Sequence, residues 1–137
     1  MNKKINKELL KLVKKAAKKN EVPVGALIVC NNKIISKAYN KRYTSKLSIN
    51  HAEVIAILKA QKKLKDWRLS NCDIYVTLKP CEMCSNIIEQ SRIKNVYYIL
   101  DKNVDSKEYY KTKYEQLYVN NYNDFKAILS NFFKKMR

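Results

Sequence analysis

The sequence predicts an α/β layer fold with a mixed sheet. Segments with helical spacing of apolar residues alternate along the chain with short β-rich segments, the pattern of layered α/β domains. Two β-rich segments, residues 24–30 and 33–39, are separated only by Asn31-Asn32, which favours a tight hairpin turn. Because a hairpin pairs its strands antiparallel while helix-connected strands can pair parallel, we expect a mixed sheet.

The composition indicates one basic domain. The 137 residues are enough to bury a single core, and we find no internal repeat or linker, so residues 1–137 are taken as one domain. Lys and Arg number 29 against 12 Asp and Glu, which gives a net charge of +17. Such a charge attracts polyanions, of which nucleic acid is the commonest, although a coding bias toward solvated lysine is an alternative.

The predicted elements follow from spacing and turn residues. Apolar residues recur at helical spacing over residues 5–17 with lysines opposite, which favours a core-facing helix over a membrane-surface helix. Gly25, the only glycine, suggests a close backbone approach or a bend. We expect Ser48 or Asn50 to cap the second helix. The predicted helices are residues 5–19, 51–64, 81–91 and 124–135, and the predicted strands are residues 24–30, 33–39, 72–79, 96–100 and a short edge strand at 117–119, with an irregular charged segment over 101–113.

The N-terminal segment favours a cytoplasmic protein, with import into an organelle as the alternative, since the segment is amphipathic and rich in lysine. Residues 1–20 lack the apolar run of a signal peptide, and they lack the Arg and Ser typical of an organellar transit peptide. No stretch of the sequence is long and apolar enough to span a membrane. We therefore expect reduced cysteines, for which metal binding or catalysis outranks a disulfide framework. The chain has four, Cys30, Cys72, Cys81 and Cys84.

Three residues form a candidate zinc set. Cys81 and Cys84 are three positions apart, so a helix would place both thiols on one face, within reach of one ion. With His51 they supply three protein ligands and leave a fourth position open for water, as in catalytic zinc sites. Glu53, two residues after the histidine, is then the candidate acid/base. Both ligand segments are expected at helix N-termini, whose partial positive charge favours thiolates.

The order of these motifs predicts a reaction type. His-Ala-Glu followed by Pro-Cys-x-x-Cys is the general signature of zinc nucleobase deaminases. In that chemistry zinc lowers the pKa of water to about 7, and hydroxide attacks the amine-bearing ring carbon. Glu53 would move protons to the ring nitrogen and to the leaving amine, which departs as ammonia. His51 is the only histidine, so the chain offers no second imidazole as base.

Other interpretations of the same residues remain open. A lone histidine at a helix start often caps or packs, and Cys81 with Cys84 could form a redox pair. A structural zinc site would need a fourth protein ligand, for which Cys72 and Cys30 are the candidates. If residues 72–79 form a strand, Cys72 lies roughly 25–30 Å from the site, at about 3.3 Å per residue. Cys72 is then a poor ligand and better explained as a small buried residue.

Beyond the metal motifs, the chain resembles the bacterial tRNA-specific adenosine deaminases, within the cytidine-deaminase-like superfamily. The resemblance runs from about residue 8 to residue 100 and returns at the C-terminus. It is carried by the segment Glu21-Val22-Pro23-Val24-Gly25-Ala26, by Asn40, by Tyr75-Val76-Thr77-Leu78, by Ser91-Arg92-Ile93 and by the closing run from Leu129 to Lys135.

The resemblance implies a fold and a set of site residues. The fold would be a three-layer α/β/α cytidine-deaminase-like domain with a central mixed sheet of about five strands. Zinc would be held by His51, Cys81 and Cys84, with Glu53 as proton shuttle. The base pocket would include Val24, Asn40 and Pro80. The closing helix would contact the anticodon loop, and the residues implied for that contact are Phe132, Phe133, Lys134, Lys135 and Arg137.

The resemblance also implies an activity and partners. The expected reaction is zinc-dependent hydrolytic deamination of adenosine to inosine at the wobble position of tRNA, with release of ammonia. The expected partner is a tRNA anticodon stem-loop, and the expected assembly is a cytoplasmic homodimer with one zinc ion per subunit and no membrane association.

Two departures from the family keep other functions in view. Lys79 stands where the family usually has Glu, and residues 101–107 replace a Gly-rich stretch that helps hold the flanking nucleotides. One alternative is a deaminase of a free base or nucleoside, of the guanine or cytosine type. The other is a non-catalytic RNA-binding protein with a structural zinc ion.

Overall fold

The computed structural model describes residues 2–101 and 112–136. Helices and strands alternate along the chain as predicted, and most bounds agree within two residues. The helices are α1 Lys3–Lys18, α2 Arg42–Ser45, α3 Ala52–Leu64, α4 Glu82–Gln90 and α5 Tyr122–Lys135. The strands are β1 Gly25–Cys30, β2 Lys33–Tyr39, β3 Cys72–Leu78, β4 Asn95–Leu100 and β5 Lys113–Gln116.

The five strands form one mixed sheet in the order β2-β1-β3-β4-β5. Strand β1 pairs antiparallel with both β2 and β3, whereas β3, β4 and β5 run parallel to one another. The predicted hairpin joins β1 to β2, and Asn31 and Asn32 have φ values of 51° and 64°. Two successive left-handed residues are what a two-residue turn with the twist of a hairpin requires.

Helices cover both faces of the sheet. On one face α3 and α4 bury an apolar cluster against alternate residues of β1, β3 and β4, such as Ile28, Ile74 and Val96. On the other face α1 and α5 pack against Leu27, Ile99 and other residues of the opposite parity. Because successive strand residues point to opposite faces, each central strand contributes to both clusters. The arrangement is the predicted three-layer α/β/α fold with five strands.

Gly25 lies where β1 passes close to α1. A Cβ atom added at this position would lie 2.8 Å from the Cβ of Leu12, so only glycine fits without displacing the helix. The Gly25 amide donates a hydrogen bond to Thr77 Oγ1 at 3.1 Å. The close approach predicted for the only glycine is therefore confirmed.

The predicted position of the edge strand was wrong. It spans Lys113–Gln116, not residues 117–119. Lys113 and Glu115 are exposed on this edge, while Tyr114 packs toward the core, so the alternation that defines the strand lies earlier than the apolar residues suggested. Leu117 and Val119 pack instead against the cluster beneath α1 and α5. Helix α2 was not predicted, and residues 102–111 of the predicted irregular segment lie outside the described residues.

Cys30 and Cys72 correct a further expectation. They face each other across β1 and β3 with Cα atoms 4.3 Å apart. The structure joins them in a disulfide, whereas the sequence predicted that all four cysteines are reduced. Spacing along the sequence could not reveal this, because the two lie 42 positions apart and only the register of two strands brings them together. Cys72 is buried, as expected, and lies at the end of β3 away from Cys81. None of the helices within the described ranges is long and apolar enough to cross a membrane.

Candidate active site

The predicted zinc ligands lie together at the N-termini of two helices. The ligand atoms of His51, Cys81 and Cys84 are all within 4.8 Å of one another. His51 Nδ1 lies 3.5 Å from the sulfur of Cys84 and 3.8 Å from that of Cys81. Residues thirty or more positions apart in the sequence are therefore in contact at one place in the fold.

Helix ends bring the ligands together. His51 is the N-cap of α3 and Cys81 is the N-cap of α4, and both have extended backbones just outside their helices. Cys84 lies in the first turn of α4, so it faces the same space as the cap residue before it. Since both helices pack on one face of the sheet, their positive ends point at one cluster of sulfur and nitrogen donors.

Neither predicted cap residue caps α3. Ser48 and Asn50 make no hydrogen bond to the start of the helix, and the side-chain hydrogen bond there comes from Asn40, the residue that follows β2. Asn40 Oδ1 accepts a hydrogen bond from the Ala52 amide at 2.7 Å, and the side chain is only 8% exposed. A residue twelve positions earlier therefore fixes the start of the helix that carries His51.

The protonation of the cluster is set by its own members. The pKa of His51 is raised, chiefly by a hydrogen bond with Cys81, against the opposing effect of burial. Hydrogen bonds with Cys84 and His51 lower the pKa of Cys81 to about 3. The pKa of Cys84 is raised because it hydrogen-bonds the Cys81 sulfur, is buried and lies near the Glu53 charge. A cation bound beside the two sulfurs would therefore favour ionisation of the second.

This donor set fits zinc. Two sulfurs and one imidazole nitrogen in mutual contact are ligands that zinc prefers, and three protein ligands leave one position free for chemistry. The remaining cysteines, Cys30 and Cys72, are bonded to each other and cannot close the site as a fourth ligand. Neither Cys81 nor Cys84 takes part in a disulfide.

Glu53 lines one cavity together with two members of the cluster, His51 and Cys81. The cavity has a volume of about 190 Å³. Pockets for drug-sized ligands are larger, roughly 300–1,000 Å³, so this one suits a single small ring system. Glu53 lies in the first turn of α3 and is only 4% exposed. The residues lining the cavity are Val22, Val24, Asn40, Arg42, His51, Glu53, Leu78, Lys79, Cys81 and Phe133.

The residues predicted for the base pocket fall in two groups. Val24 and Asn40 line the cavity directly. Pro80 is buried between the lining residues Lys79 and Cys81 and is not itself in the lining. Pro80 lies between β3 and α4, so it directs the chain from the strand into the helix next to the cavity.

The two phenylalanines of α5 lie in different environments. Phe132 is 7% exposed and belongs to the core, whereas Phe133 is 50% exposed and reaches the cavity. Their rings meet edge to face at 5.4 Å. Lys134 and Lys135 are exposed at the end of α5, and Arg137 lies outside the described residues. Periodicity alone could not separate the two adjacent rings.

Glu21 supports the site from a distance. The sequence analysis did not predict this structural role. Its carboxylate is 1% exposed and accepts hydrogen bonds from the amides of Tyr43 at 3.0 Å and Thr44 at 2.6 Å, and also from the Thr44 hydroxyl. It thereby fixes α2, which carries Arg42 to the cavity rim. Its hydrogen-bond partners are 22 and 23 positions away in the sequence, so no local pattern predicts them.

The fold and this cluster define a deaminase. A profile of the family described as MafB19-like deaminase matches residues 1–137. A solved structure from studies of A-to-I editing by tRNA:A34 deaminases superposes with a TM-score of 0.84, at 26% identity, over 93% of this chain and 100% of that chain. A guanine deaminase from Bacillus subtilis superposes with a TM-score of 0.68, at 28% identity, over 93% of each chain.

Curated relatives narrow the assignment. The tRNA-specific adenosine deaminase of Buchnera aphidicola is 38% identical over 137 residues, covering 93% of this chain and 91% of that protein. The enzyme of the same name from Bacillus subtilis is 47% identical over 92 residues, and the match spans 67% of this chain but only 57% of that protein. The chain belongs to the MafB19-like deaminase family and, within it, to the group of tRNA-specific adenosine deaminases.

Proposed function

We propose that the protein converts adenosine to inosine at position 34, the wobble position, of a tRNA by hydrolytic deamination. The observation that carries the proposal is the cluster of His51, Cys81 and Cys84, because two of its members, His51 and Cys81, line one small cavity together with Glu53. Membership of the family supports the choice of adenosine in tRNA over other amines.

His51, Cys81 and Cys84 would hold one zinc ion per subunit. Bound there, zinc supplies Lewis acidity that makes water a nucleophile near neutral pH. The thiolates and the imidazole keep this centre at the positive ends of two helices, and the burial of Cys84 shields it from bulk solvent.

Glu53 moves the protons. A bond forms between the water oxygen and C6 of adenine, and the C6–N6 bond breaks. The Glu53 carboxylate accepts one water proton and delivers it to ring N1, then accepts the second and delivers it to the amine, which leaves as ammonia. The oxygen stays as the C6 carbonyl of inosine, so atoms and charge balance. The near-complete burial of Glu53 suits this role, because bulk water does not compete for its protons.

Asn40, Val24 and Pro80 would position the base. Asn40 Oδ1 already accepts the Ala52 amide, so its Nδ2 group is the part left to donate to an acceptor on the base. Val24 supplies an apolar wall, and Pro80 fixes the path of the chain around the cavity. Phe133, half-exposed at the rim, can stack on the extruded base or its neighbour.

The proposal extends to partner, assembly and compartment. The substrate is a tRNA anticodon stem-loop, held in part by Phe133, Lys134, Lys135 and Arg137. The burial of Phe132 favours a core role over RNA contact. We further propose a homodimer, as the resemblance implies, acting in the cytoplasm where tRNA is available. An unpaired loop base costs little to extrude, which suits an anticodon target.

A second candidate is a deaminase acting on a free base. The cavity accommodates one ring system and does not by itself require an attached RNA, and a guanine deaminase is among the superposed structures. The net charge of +17 favours the polyanionic substrate, since a neutral base gains nothing from it.

The test measures inosine formation and ammonia release by the zinc-loaded protein. Three substrates run in parallel: a tRNA with adenosine at the first anticodon position, the same tRNA with guanosine there, and free nucleosides and bases. We expect turnover of the first alone. Turnover of free compounds alone would keep the deaminase chemistry and overturn the tRNA assignment, and a zinc-loaded protein inactive on all three would overturn both. Glu53→Ala protein serves as the inactive control.

A further inference from the structure

Helix α1 carries a continuous face of lysines. At 3.6 residues per turn these residues fall within an arc of about 120° on the helix. All are exposed, and the helix as a whole has seven lysines and one glutamate. The residues of this lysine face are Lys3, Lys4, Lys7, Lys11, Lys14, Lys15 and Lys18.

Acidic side chains leave most of this charge unbalanced. Glu8 is the only acid of α1, and it lies between Lys11 at 3.8 Å and Lys37 at 3.3 Å. Across residues 2–101 and 112–136, the other six lysines of the face make no ion pair. The lysine face therefore presents a positive surface about 24 Å long, at 1.5 Å per residue.

The lysine face continues into the rim of the catalytic cavity. At the C-terminal end of α1, Lys19 Nζ lies 6.0 Å from the ring centroid of Tyr39, and Lys41 Nζ lies 5.1 Å from the same centroid. Tyr39 directly precedes Asn40, which lines the cavity. A polyanion whose target base enters the cavity would thus find cations along this route.

The apolar side of α1 is not available for insertion into a membrane, which favours RNA as the partner of this face. A helix that lies on a membrane inserts its apolar side among the lipids. In α1 that side is used by the fold: Leu9 and Val13 are 0% and 1% exposed and pack against Leu27, Ile99 and Phe125. Only the charged side is left to bind a partner.

We propose that the lysine face of α1 binds the phosphates of the stem of the RNA hairpin whose loop delivers the target base to the cavity. The proposal rests on the proposed function, which supplies the RNA. A length of ~24 Å spans on the order of seven phosphates along one strand, at ~3.4 Å each. Lysine suits this role, because it acts as a point charge on phosphates without reading sequence.

The test compares two triple variants of equal charge. The first, Lys7→Gln with Lys14→Gln and Lys18→Gln, removes cations from the lysine face and retains good helix formers. The control, Lys33→Gln with Lys62→Gln and Lys63→Gln, removes three exposed cations from the hairpin end and from α3, on the other face of the sheet. Neither variant alters a residue of the cavity.

The readouts are Kd for an anticodon stem-loop at several salt concentrations, and kcat and KM for its deamination. We expect the lysine-face variant to bind on the order of 10-fold more weakly near 50 mM salt. We also expect its salt slope to fall by about 0.7–0.9 for each phosphate that a substituted lysine no longer neutralises. We expect kcat to stay unchanged. On a single-stranded oligonucleotide of the loop alone, the variant and the parent protein should bind equally.

Each outcome decides the inference. Equal weakening in both triple variants, an unchanged salt slope, or the same weakening on the loop oligonucleotide would overturn it, as would a parent protein that does not bind the stem-loop. If the lysine-face variant bound anionic phospholipid vesicles more weakly than the parent protein but bound RNA equally well, the face would be assigned to a membrane instead. Failure of the parent protein to deaminate the stem-loop would overturn the proposed function separately, because binding through the lysine face is measured independently of turnover.

Discussion

The side chain of Asn40 links the base cavity to the start of α3. Its Oδ1 accepts a hydrogen bond from the Ala52 amide at 2.7 Å, and its own backbone amide donates to the Val24 carbonyl at 3.1 Å. One residue therefore joins the wall of the cavity to the helix that begins with His51 and carries Glu53. Substitutions here can separate a structural contribution from a catalytic one, because the two use different atoms of the same amide.

Asn40→Asp and Asn40→Ala should have different effects. Aspartate keeps an oxygen acceptor for the Ala52 amide, so we expect stability close to the parent protein, but it lacks the Nδ2 donor for the base. Alanine lacks both groups and should also lose about 1 kcal/mol of unfolding free energy. Thermal unfolding and kcat/KM on the tRNA substrate measure the two effects. We expect both variants to lose at least about 10-fold in kcat/KM. Full activity of Asn40→Asp would show that the Nδ2 group does not bind the base.

Glu53→Gln should retain zinc and lose turnover. Glutamine has nearly the same shape as glutamate but cannot accept and return protons, so we expect kcat to fall by about 10²- to 10⁴-fold. Zinc content, measured by elemental analysis, should stay at one per chain, because Glu53 is not among the clustered ligand atoms. His51→Ala is the matched control, for which we expect loss of zinc together with activity. Substantial turnover by zinc-loaded Glu53→Gln would contradict the proton shuttle.

Local patterns were enough to predict that His51, Cys81 and Cys84 cluster near Glu53. The three candidate ligands and Glu53 belong to two short motifs, and each motif lies at the start of a helix. Most of the helix and strand bounds were predictable for the same reason, since hydrophobic periodicity and the Asn31-Asn32 turn are local signals. Because each motif lies at the N-terminus of a helix, the cluster forms once the fold brings those two helix ends together.

The remaining features depend on contacts between distant segments. The pairing of Asn40 with Ala52, of Glu21 with Thr44 and of Cys30 with Cys72 is set by the register and packing of elements, which single-residue patterns do not encode. The edge strand was displaced for a related reason. Apolar residues at 117–119 suggested a strand, but in the fold they cover the core below α1 and α5.

Breaking the disulfide should affect stability without affecting the site. A link across 42 residues stabilises by about 4 kcal/mol at most in the chain-entropy account. We expect Cys72→Ala, or reduction with a non-chelating phosphine, to lower the free energy of unfolding toward that limit. Zinc content and kcat should not change, because Cys72 begins β3 and the cavity lies beyond Leu78, about 20 Å along the strand. The free energy is read from urea unfolding. A loss of zinc from Cys72→Ala would contradict this separation.

Glu21 should give the protein a measurable stability term that depends on pH. Burial raises the pKa of its carboxyl, but the hydrogen bonds from Thr44 and from the Tyr43 and Thr44 amides outweigh burial and hold the pKa below its ordinary value of 4.5. A folded pKa below the unfolded value means that the stabilisation is present above about pH 4.5 and is lost as the pH falls through the folded pKa. In Glu21→Gln this term is absent, so we expect the variant to be less stable by about 1–3 kcal/mol at neutral pH and to approach the parent protein in acid. Urea unfolding of both proteins across pH 3–7 measures the difference, and comparison at each pH cancels the titration of the other carboxylates. A difference that is constant with pH would show that the Glu21 charge does not provide the stabilisation.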